Sequence, residues 1–163
     1  MLVQGKFRFR IWKTNLPNPL DAAAKSAGGQ MSREILFRGK CLKKNDWHEG
    51  DLIQGNSVNC YENTAGKSFI VGWYLGSIEM IEVDPKTVGQ FIGLRDKNGK
   101  RIFEGDVLKV LTSSNFFVEV YFHENAMFTC REITKGAPCS QIYAKESEVV
   151  GNIYENPELL ETK

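Results

Sequence analysis

The sequence lacks any apolar run of the roughly 18 residues that a membrane-spanning helix needs, and its first residues lack the apolar core of a secretory signal peptide. It also lacks an excess of charge of either sign, since 21 Lys and Arg residues face 20 Asp and Glu residues and the net charge is +1. This balance argues against a strongly basic nucleic-acid surface and against an acidic tail. We therefore expect a cytoplasmic protein that has no membrane partner.

Cysteine and histidine are scarce, and their spacing does not indicate a metal site. Structural zinc sites usually contain close Cys-x-x-Cys pairs, which are absent here. The run Gly66-Lys67-Ser68 is like the end of a phosphate loop, but Tyr61 stands where that loop needs its first glycine. We predict neither a metal nor a cofactor, and free thiols in a reducing compartment. The residues concerned are Cys41, Cys60, Cys130 and Cys139, with His48 and His123.

The sequence offers no convincing helical periodicity over ten or more positions, but it is rich in short runs of Ile, Val, Phe and Tyr. Turn residues separate these runs, which predicts short antiparallel strands in a sandwich or small barrel. Two short helices are also predicted. One begins with Asp84 as cap and Pro85 in the first position, and the other begins with Asn156 and Pro157.

Residues 1–30 differ in composition from the rest of the chain. The stretch "KFRFRIWK" from Lys6 alternates basic and apolar residues, and "NLPNPLDAAAKSAGGQ" from Asn15 is rich in proline, glycine and small residues, as linkers are. We predict that residues 1–30 are an N-terminal extension or linker, either a fusion remnant or an upstream start, and that the compact unit starts near Met31. The alternative is that "FRFRIW" adds an edge strand to the main fold.

From Phe37 onward the chain is similar to itself. The stretch "FRGKCLKKNDWHEGDLI" from Phe37 aligns with "FIGLRDKNGKRIFEGDVL" from Phe91, with one residue inserted in the second copy. In the same order, "TVGQFIG" from Thr87 aligns with "VVGNIYE" from Val149. Two motifs that recur in one order indicate an internal repeat. We predict a first β unit over 31–93 and a second over 94–163, the second ending in a short helix.

The repeated motif is Glu-Gly-Asp, and we interpret it as a structural turn used twice. Glycine tolerates a positive φ and would bend the chain, and the following aspartate would accept bonds from exposed backbone amides. The alternative is a pair of carboxylates that act as acid and base or bind a metal. A tight hairpin turn precedes the second copy. The predicted turn residues are Glu49, Gly50, Asp51, Asp96, Asn98, Gly99, Glu104, Gly105 and Asp106.

A Gly-Asp turn that opens an alternating strand is also typical of small SH3-like barrels. Together with the repeat, it predicts a mainly β protein. We expect two related SH3-like β-barrel or roll units in tandem, with short helices and a C-terminal helical turn.

Three blocks of the sequence resemble the YopX family of phage and prophage proteins. They are "REILFRGK", "TVGQFIGLRDKNGKRIFEGDVLKV" and "EVVGNIYENPELL", and they span Arg33 to Leu160 in the family's order. The resemblance implies a mostly β fold with an SH3-like barrel or roll, and a bacterial host cell in which phages carry the gene. It implies no catalytic residues, because no activity is established for the family. Residues 1–30 lie outside it.

Basic residues cluster at two predicted hairpins and could form one positive face with an aromatic side chain for stacking on nucleic acid. The alternative is that these lysines keep the hairpins soluble and protect strand edges. The candidate binding residues are Lys43, Lys44, Lys97, Lys100 and Arg101, with Trp47. The run "NFFVEV" from Asn115 could be core or an exposed interface patch.

These observations favour a phage- or prophage-encoded accessory protein that is not an enzyme. We expect a binding or assembly module whose partner is a protein, either a second copy or a host or phage protein. The first alternative is a nucleic-acid-binding SH3-like module. The second is a hydrolase that uses Glu104 and Asp106.

Overall fold

The computed structural model describes residues 34–55, 65–74, 77–112 and 115–161. The chain divides into two compact units between Ser32 and Arg33, and every feature below belongs to the second unit. The predicted extension or linker over 1–30 lies outside the described residues.

The described residues form ten strands joined in antiparallel pairs, which confirms the prediction of a mainly β protein. The strands are β1 (Phe37–Lys40), β2 (Trp47–Gln54), β3 (Ser68–Tyr74), β4 (Ser77–Val83), β5 (Gly89–Arg95), β6 (Arg101–Phe103), β7 (Asp106–Val110), β8 (Phe116–His123), β9 (Met127–Glu132) and β10 (Ser147–Asn152). One sheet has the strand order β4-β3-β2-β1-β5-β6, and the other has the order β10-β7-β8-β9.

Helical structure is almost absent from the described ranges, which contain single 3₁₀ turns at Pro85–Thr87, Ala144–Glu146 and Pro157–Leu159. None of them is long and apolar enough to cross a membrane. Asp84 caps the first turn as predicted, because its side chain accepts a hydrogen bond from the Lys86 amide. The Asn156 side chain does not cap the last turn, since its oxygen accepts from the Asn152 amide at 3.3 Å instead.

A cluster of buried apolar residues packs on the four-stranded sheet. Val118 and Val120 alternate along β8 and are fully buried, as period-two patterning requires when one face of a sheet is covered. They pack with buried residues of the neighbouring strands and of the turn before β10. These residues are Ile102 of β6, Leu108 and Val110 of β7, Cys130 of β9, and Ala144.

The interpretation of Glu49-Gly50-Asp51 as a turn is wrong, because all three residues lie inside β2. Gly50 does not have a positive φ. Its role is steric: a Cβ atom there would lie 2.1 Å from the Val71 backbone oxygen of β3. At this point β2 changes partner, since residues up to Gly50 pair with β1 and residues from Asp51 pair with β3. Glycine is needed for a close approach between strands.

We predict that Gly50→Ala lowers the free energy of unfolding by about 2–4 kcal/mol, because the strands must separate to admit the new methyl group. Gly99→Ala is the matched control. Gly99 has a φ of 82° and open space around its Cα, so that substitution costs only backbone strain, about 1 kcal/mol. Urea denaturation of both variants measures the difference. Equal losses would contradict a steric role for Gly50.

The hairpin turn predicted between β5 and β6 is present, and its tip is fastened to β10. The Asp96 carboxylate accepts hydrogen bonds from the amides of Asn98 at 2.8 Å, Lys100 at 2.9 Å and Val149 at 3.0 Å. Burial acts to raise the pKa of Asp96, but these three amides outweigh it and hold the pKa below its usual range. Gly99 takes the positive φ that the turn requires.

This lowered pKa predicts a pH dependence of stability. Because the folded pKa of Asp96 lies below the unfolded one, its stabilising contribution is present above about pH 4 and is lost as the pH falls through the folded pKa. We expect wild type to exceed Asp96→Asn in free energy of unfolding near neutral pH, and the gap to shrink in acid. Urea titrations between neutral and strongly acidic pH measure it, and a constant gap would refute the assignment.

Candidate functional site

The second Glu-Gly-Asp motif forms the bend between β6 and β7. Gly105 has a φ of 81°, and a Cβ atom there would lie 3.0 Å from the Tyr154 ring. The Gly105 amide donates to the Val120 oxygen at 2.8 Å, and the Gly105 oxygen accepts from the Ile153 amide at 2.9 Å. The bend is therefore fixed by β8 on one side and by the segment after β10 on the other.

A buried ion pair closes this bend. The Arg38 Nη1 atom lies 2.6 Å from the Asp106 Oδ1 atom, and only 1% of the Asp106 side chain is exposed. The Phe103 amide donates to the Asp106 Oδ2 atom at 2.8 Å, and Arg38 Nη2 donates to the Glu104 backbone oxygen at 3.3 Å. The guanidinium also lies 4.8 Å from the ring centroid of Trp47 and 4.9 Å from that of Phe103.

The surroundings of Asp106 determine what this carboxylate can do. Burial raises its pKa above the usual range, while the Arg38 guanidinium and the Phe103 amide limit the rise. One oxygen faces Arg38 and the other faces the amide, so the group has no oxygen directed at solvent. Glu104 is half-buried and contributes its backbone oxygen. Asp106 is therefore not open to a substrate as one member of a carboxylate pair.

The structure does not bring the predicted basic residues together. Lys43 and Lys44 are exposed in the turn that follows β1, whereas Lys97 and Lys100 are exposed in the turn that follows β5. Because β1 and β5 are antiparallel neighbours, these two turns lie at opposite ends of the sheet.

Two of the three candidate basic residues at the hairpin of β5 and β6 form ion pairs with carboxylates. Lys97 Nζ lies 3.0 Å from Glu148, and Arg101 lies 2.9 Å from Glu34 and 3.0 Å from Glu49. These pairs reduce the positive potential that a phosphate backbone would meet.

Trp47 is also engaged within the fold. Arg38 covers its ring, and the ring centroid of Tyr154 lies 6.2 Å away. The Trp47 indole and the Lys40 ammonium beside Glu155 hold the pKa of that carboxyl below its usual range. Trp47 is therefore not positioned as an open platform for base stacking.

An open groove, which we name the apolar groove, lies between β5 and the hairpin of β8 and β9, and its lining side chains are apolar except for Gln90. It has a cavity volume of about 620 Å³, and no lining residue carries a formal charge. Leu94, Phe122 and Met127 remain 42%, 51% and 53% exposed, which is high for large apolar side chains. The lining residues are Gln90, Ile92, Leu94, Phe122, Ala126, Met127, Phe128 and Ile142.

The groove is the uncovered end of the core. Phe122 follows Val118 and Val120 on the same face of β8, but it projects beyond the part of that face that other elements cover. Ile92 packs against the core cluster, and Leu94, two residues further along β5, lines the same groove. Of the two alternatives for the run "NFFVEV", the structure supports the core, because Phe116 packs on the core cluster and Val118 belongs to it. The exposed apolar residue of β8 is at its other end, at Phe122.

His123 fixes the hairpin that forms one wall of the groove. Its Nδ1 atom accepts from the Asn125 amide at 3.1 Å, and its oxygen accepts from the Ala126 amide at 2.9 Å. Ala126 has a φ of 58°, in the left-handed region that favours glycine. The alternation of apolar residues in "VEVYF" from Val118 was the available signal for this wall, since it marks Phe122 as a core-facing position.

We predict that Arg38→Met lowers the free energy of unfolding by about 3–5 kcal/mol, because it leaves the Asp106 carboxylate buried without its counter-ion. Arg131→Met is the control. Arg131 likewise pairs with a carboxylate, Glu119 at 2.9 Å, and lies on an aromatic ring, but it is 48% exposed. That substitution should cost less than about 1 kcal/mol. Chemical denaturation compares them, and similar costs would rule out burial as the cause.

Comparison with known proteins identifies the family of the chain. The chain is similar to the crystal structure of protein EF1440 from Enterococcus faecalis, with a TM-score of 0.49 and 23% sequence identity over 80% of this chain and 100% of that one. No curated protein matches it at a significant level. The sequence profile of the family described as YopX protein matches residues 36–161, which is most of the chain. The chain therefore belongs to the YopX family.

Proposed function

We propose that the protein is a phage- or prophage-encoded accessory protein without catalytic activity, a binding module that works in the cytoplasm of the bacterial host. Its groove binds an apolar segment of a partner protein. The observation that carries the proposal is the exposure of Leu94, Phe122 and Met127 around one uncharged groove.

The lining of the groove favours a protein segment over other ligands. Clustered exposed apolar side chains mark sites of interaction with other molecules, and methionine and phenylalanine are enriched in protein interfaces. Nucleic acid requires cations near its phosphates, and the lining contains none. The Phe122 and Phe128 rings meet edge to face at 5.1 Å and provide a firm wall. An apolar side chain of a partner can enter between this wall and Leu94.

The order of the elements supports a further part of the proposal, that the fold consists of two related SH3-like units. The meander of β2, β3 and β4 is followed by the 3₁₀ turn Pro85–Thr87 and then by β5, which pairs with β1. The meander of β7, β8 and β9 is followed by the turn Ala144–Glu146 and then by β10, which pairs with β7. In both halves the final strand returns to an early strand of its unit, β5 to the first strand β1 and β10 to the second strand β7.

No specific observation favours the two alternative functions. A nucleic-acid role would use Lys97, Lys100 and Arg101, of which the first and third are paired with carboxylates. A hydrolase would use Glu104 with Asp106, and Asp106 is enclosed by Arg38.

We predict that Met127→Glu abolishes binding of apolar peptides, because it places a charge in the groove wall. Met80→Glu is the matched control, since Met80 is 49% exposed on β4 and Met127 is 53% exposed on β9. A displayed random-peptide library is selected against the wild-type protein, and the enriched peptides are synthesised. Their affinities are then measured by fluorescence anisotropy for all three proteins.

The expected result is enrichment of peptides with clustered apolar residues that bind wild type and Met80→Glu equally and bind Met127→Glu at least about tenfold more weakly. Light scattering identifies the partner if it is a second copy, because a dimer would then be lost in Met127→Glu alone. Equal peptide binding by both variants would refute the groove. Salt-sensitive binding of oligonucleotides that is weakened by charge reversal at Lys97, Lys100 and Arg101 would favour the nucleic-acid alternative.

A further inference from the structure

Three side chains of metal-ligand type lie on one face of the hairpin formed by β1 and β2. The strands pair Lys40 with Trp47, and beyond that pair the Cys41 amide donates to the Asp46 oxygen at 2.8 Å. Opposed residues of antiparallel strands share a face, and so do residues two apart in one strand. Cys41, Asp46 and His48 are therefore on the same face, at the end of the hairpin.

Their ligand atoms are close to the spacing of a coordination shell. The thiol sulfur, one carboxylate oxygen and one imidazole nitrogen all lie within 4.8 Å of one another, and His48 Nε2 is 3.1 Å from Asp46 Oδ1. Tetrahedral zinc with bonds of about 2.0–2.3 Å separates its ligand atoms by about 3.3–3.6 Å. The nitrogen and oxygen, 3.1 Å apart, are slightly closer than that spacing, and the sulfur lies no more than 4.8 Å from either of them.

The backbone holds the three positions firmly. Cys41 is bridged to Val83 on its other side, and the next residue, Leu42, donates to the Glu82 oxygen at 3.2 Å. Asn45 turns the chain with a φ of 62° and donates to the Cys41 oxygen at 3.0 Å. Backbone hydrogen bonds therefore fix the turn that joins Cys41 to Asp46, and the three ligand side chains are not needed to hold it.

We propose that Cys41, Asp46 and His48 form a binding site for a zinc-type divalent cation, with a fourth position open to solvent. Cys41 is 7% exposed and His48 is 15% exposed at its side chain, whereas the Asp46 side chain is 50% exposed. The ion would therefore enter from the Asp46 side and keep a water molecule there. On binding, the Cys41 thiol transfers its proton to solvent, and the thiolate and carboxylate balance the charge of the ion.

The ligand set determines the class of cation. A thiolate with an imidazole suits zinc and cobalt, whereas magnesium and calcium prefer shells made of oxygen atoms. Three protein ligands and one open position are typical of exchangeable or reactive zinc sites rather than of closed structural ones. This site lies at the β1–β2 turn and shares no residue with the apolar groove. A test of metal binding is therefore independent of the test of peptide binding.

The test is titration of the full-length, metal-free, reduced protein with Co²⁺, followed by displacement with Zn²⁺. Binding through a thiolate gives a sulfur-to-cobalt charge-transfer band in the near ultraviolet. We expect Cys41→Ser to abolish this band, and His48→Gln and Asp46→Asn each to weaken Co²⁺ binding at least about tenfold. The controls Cys139→Ser, Cys60→Ser and His123→Gln should retain wild-type affinity.

Circular dichroism verifies that each variant folds. Asp46→Asn keeps the proposal testable if Cys41→Ser does not fold, because Asp46 is half exposed and its replacement leaves the buried thiol in place. The proposal is overturned if wild type shows no thiolate band, if Cys41→Ser retains it, or if the band disappears with Cys60 or Cys139 instead.

Discussion

The buried ion pair between Arg38 and Asp106 is the interaction on which the arrangement of the molecule depends. Arg38 belongs to β1 of the six-stranded sheet, and Asp106 begins β7 of the four-stranded sheet, so one contact connects the two. Taking a carboxylate out of water is costly, and only a close counter-ion with further hydrogen bonds offsets that cost. Phe103 supplies such a bond, and the Glu104 oxygen receives another from Arg38. A conspicuous acidic motif thus serves the assembly of the fold.

These internal pairings also explain why the apolar groove, rather than the basic and aromatic residues, is the surface that we propose for partner binding. The guanidinium of Arg38 lies on the Trp47 ring, and carboxylates pair with Lys97 and Arg101. Three of the six candidate nucleic-acid-binding residues are therefore engaged with the protein itself. The four-stranded sheet, in contrast, has an apolar face that is only partly covered by other elements of the fold. The row that begins at Val118 ends in Phe122, which is exposed. Apolar area left open at the end of a core is available to a partner.

Local chemistry was predictable from the sequence, and long-range contacts were not. The turn at Asp96 and the positive φ of Gly105 follow from residues adjacent in sequence. Gly50 belongs to the same tripeptide, but its role is set by β3, which approaches from 21 residues further along the chain at Val71. The partner of Asp106 is 68 residues away, and no local pattern reveals it. The groove was also hidden, because alternation marks the core face of a strand but not how much of that face is covered.

Each of the two Glu-Gly-Asp motifs supplies one acid that pairs with a distant arginine. An arginine in the C-terminal half, Arg101, pairs with Glu49 of the first motif, and an arginine in the N-terminal half, Arg38, pairs with Asp106 of the second. Each half thus offers an acid to an arginine of the other half. The two contacts differ in strength, because Glu49 and Arg101 are exposed enough for solvent to screen them, whereas Asp106 is enclosed. Both acids thus connect distant parts of the chain, and burial makes the contact of Asp106 with Arg38 the costlier of the two to break.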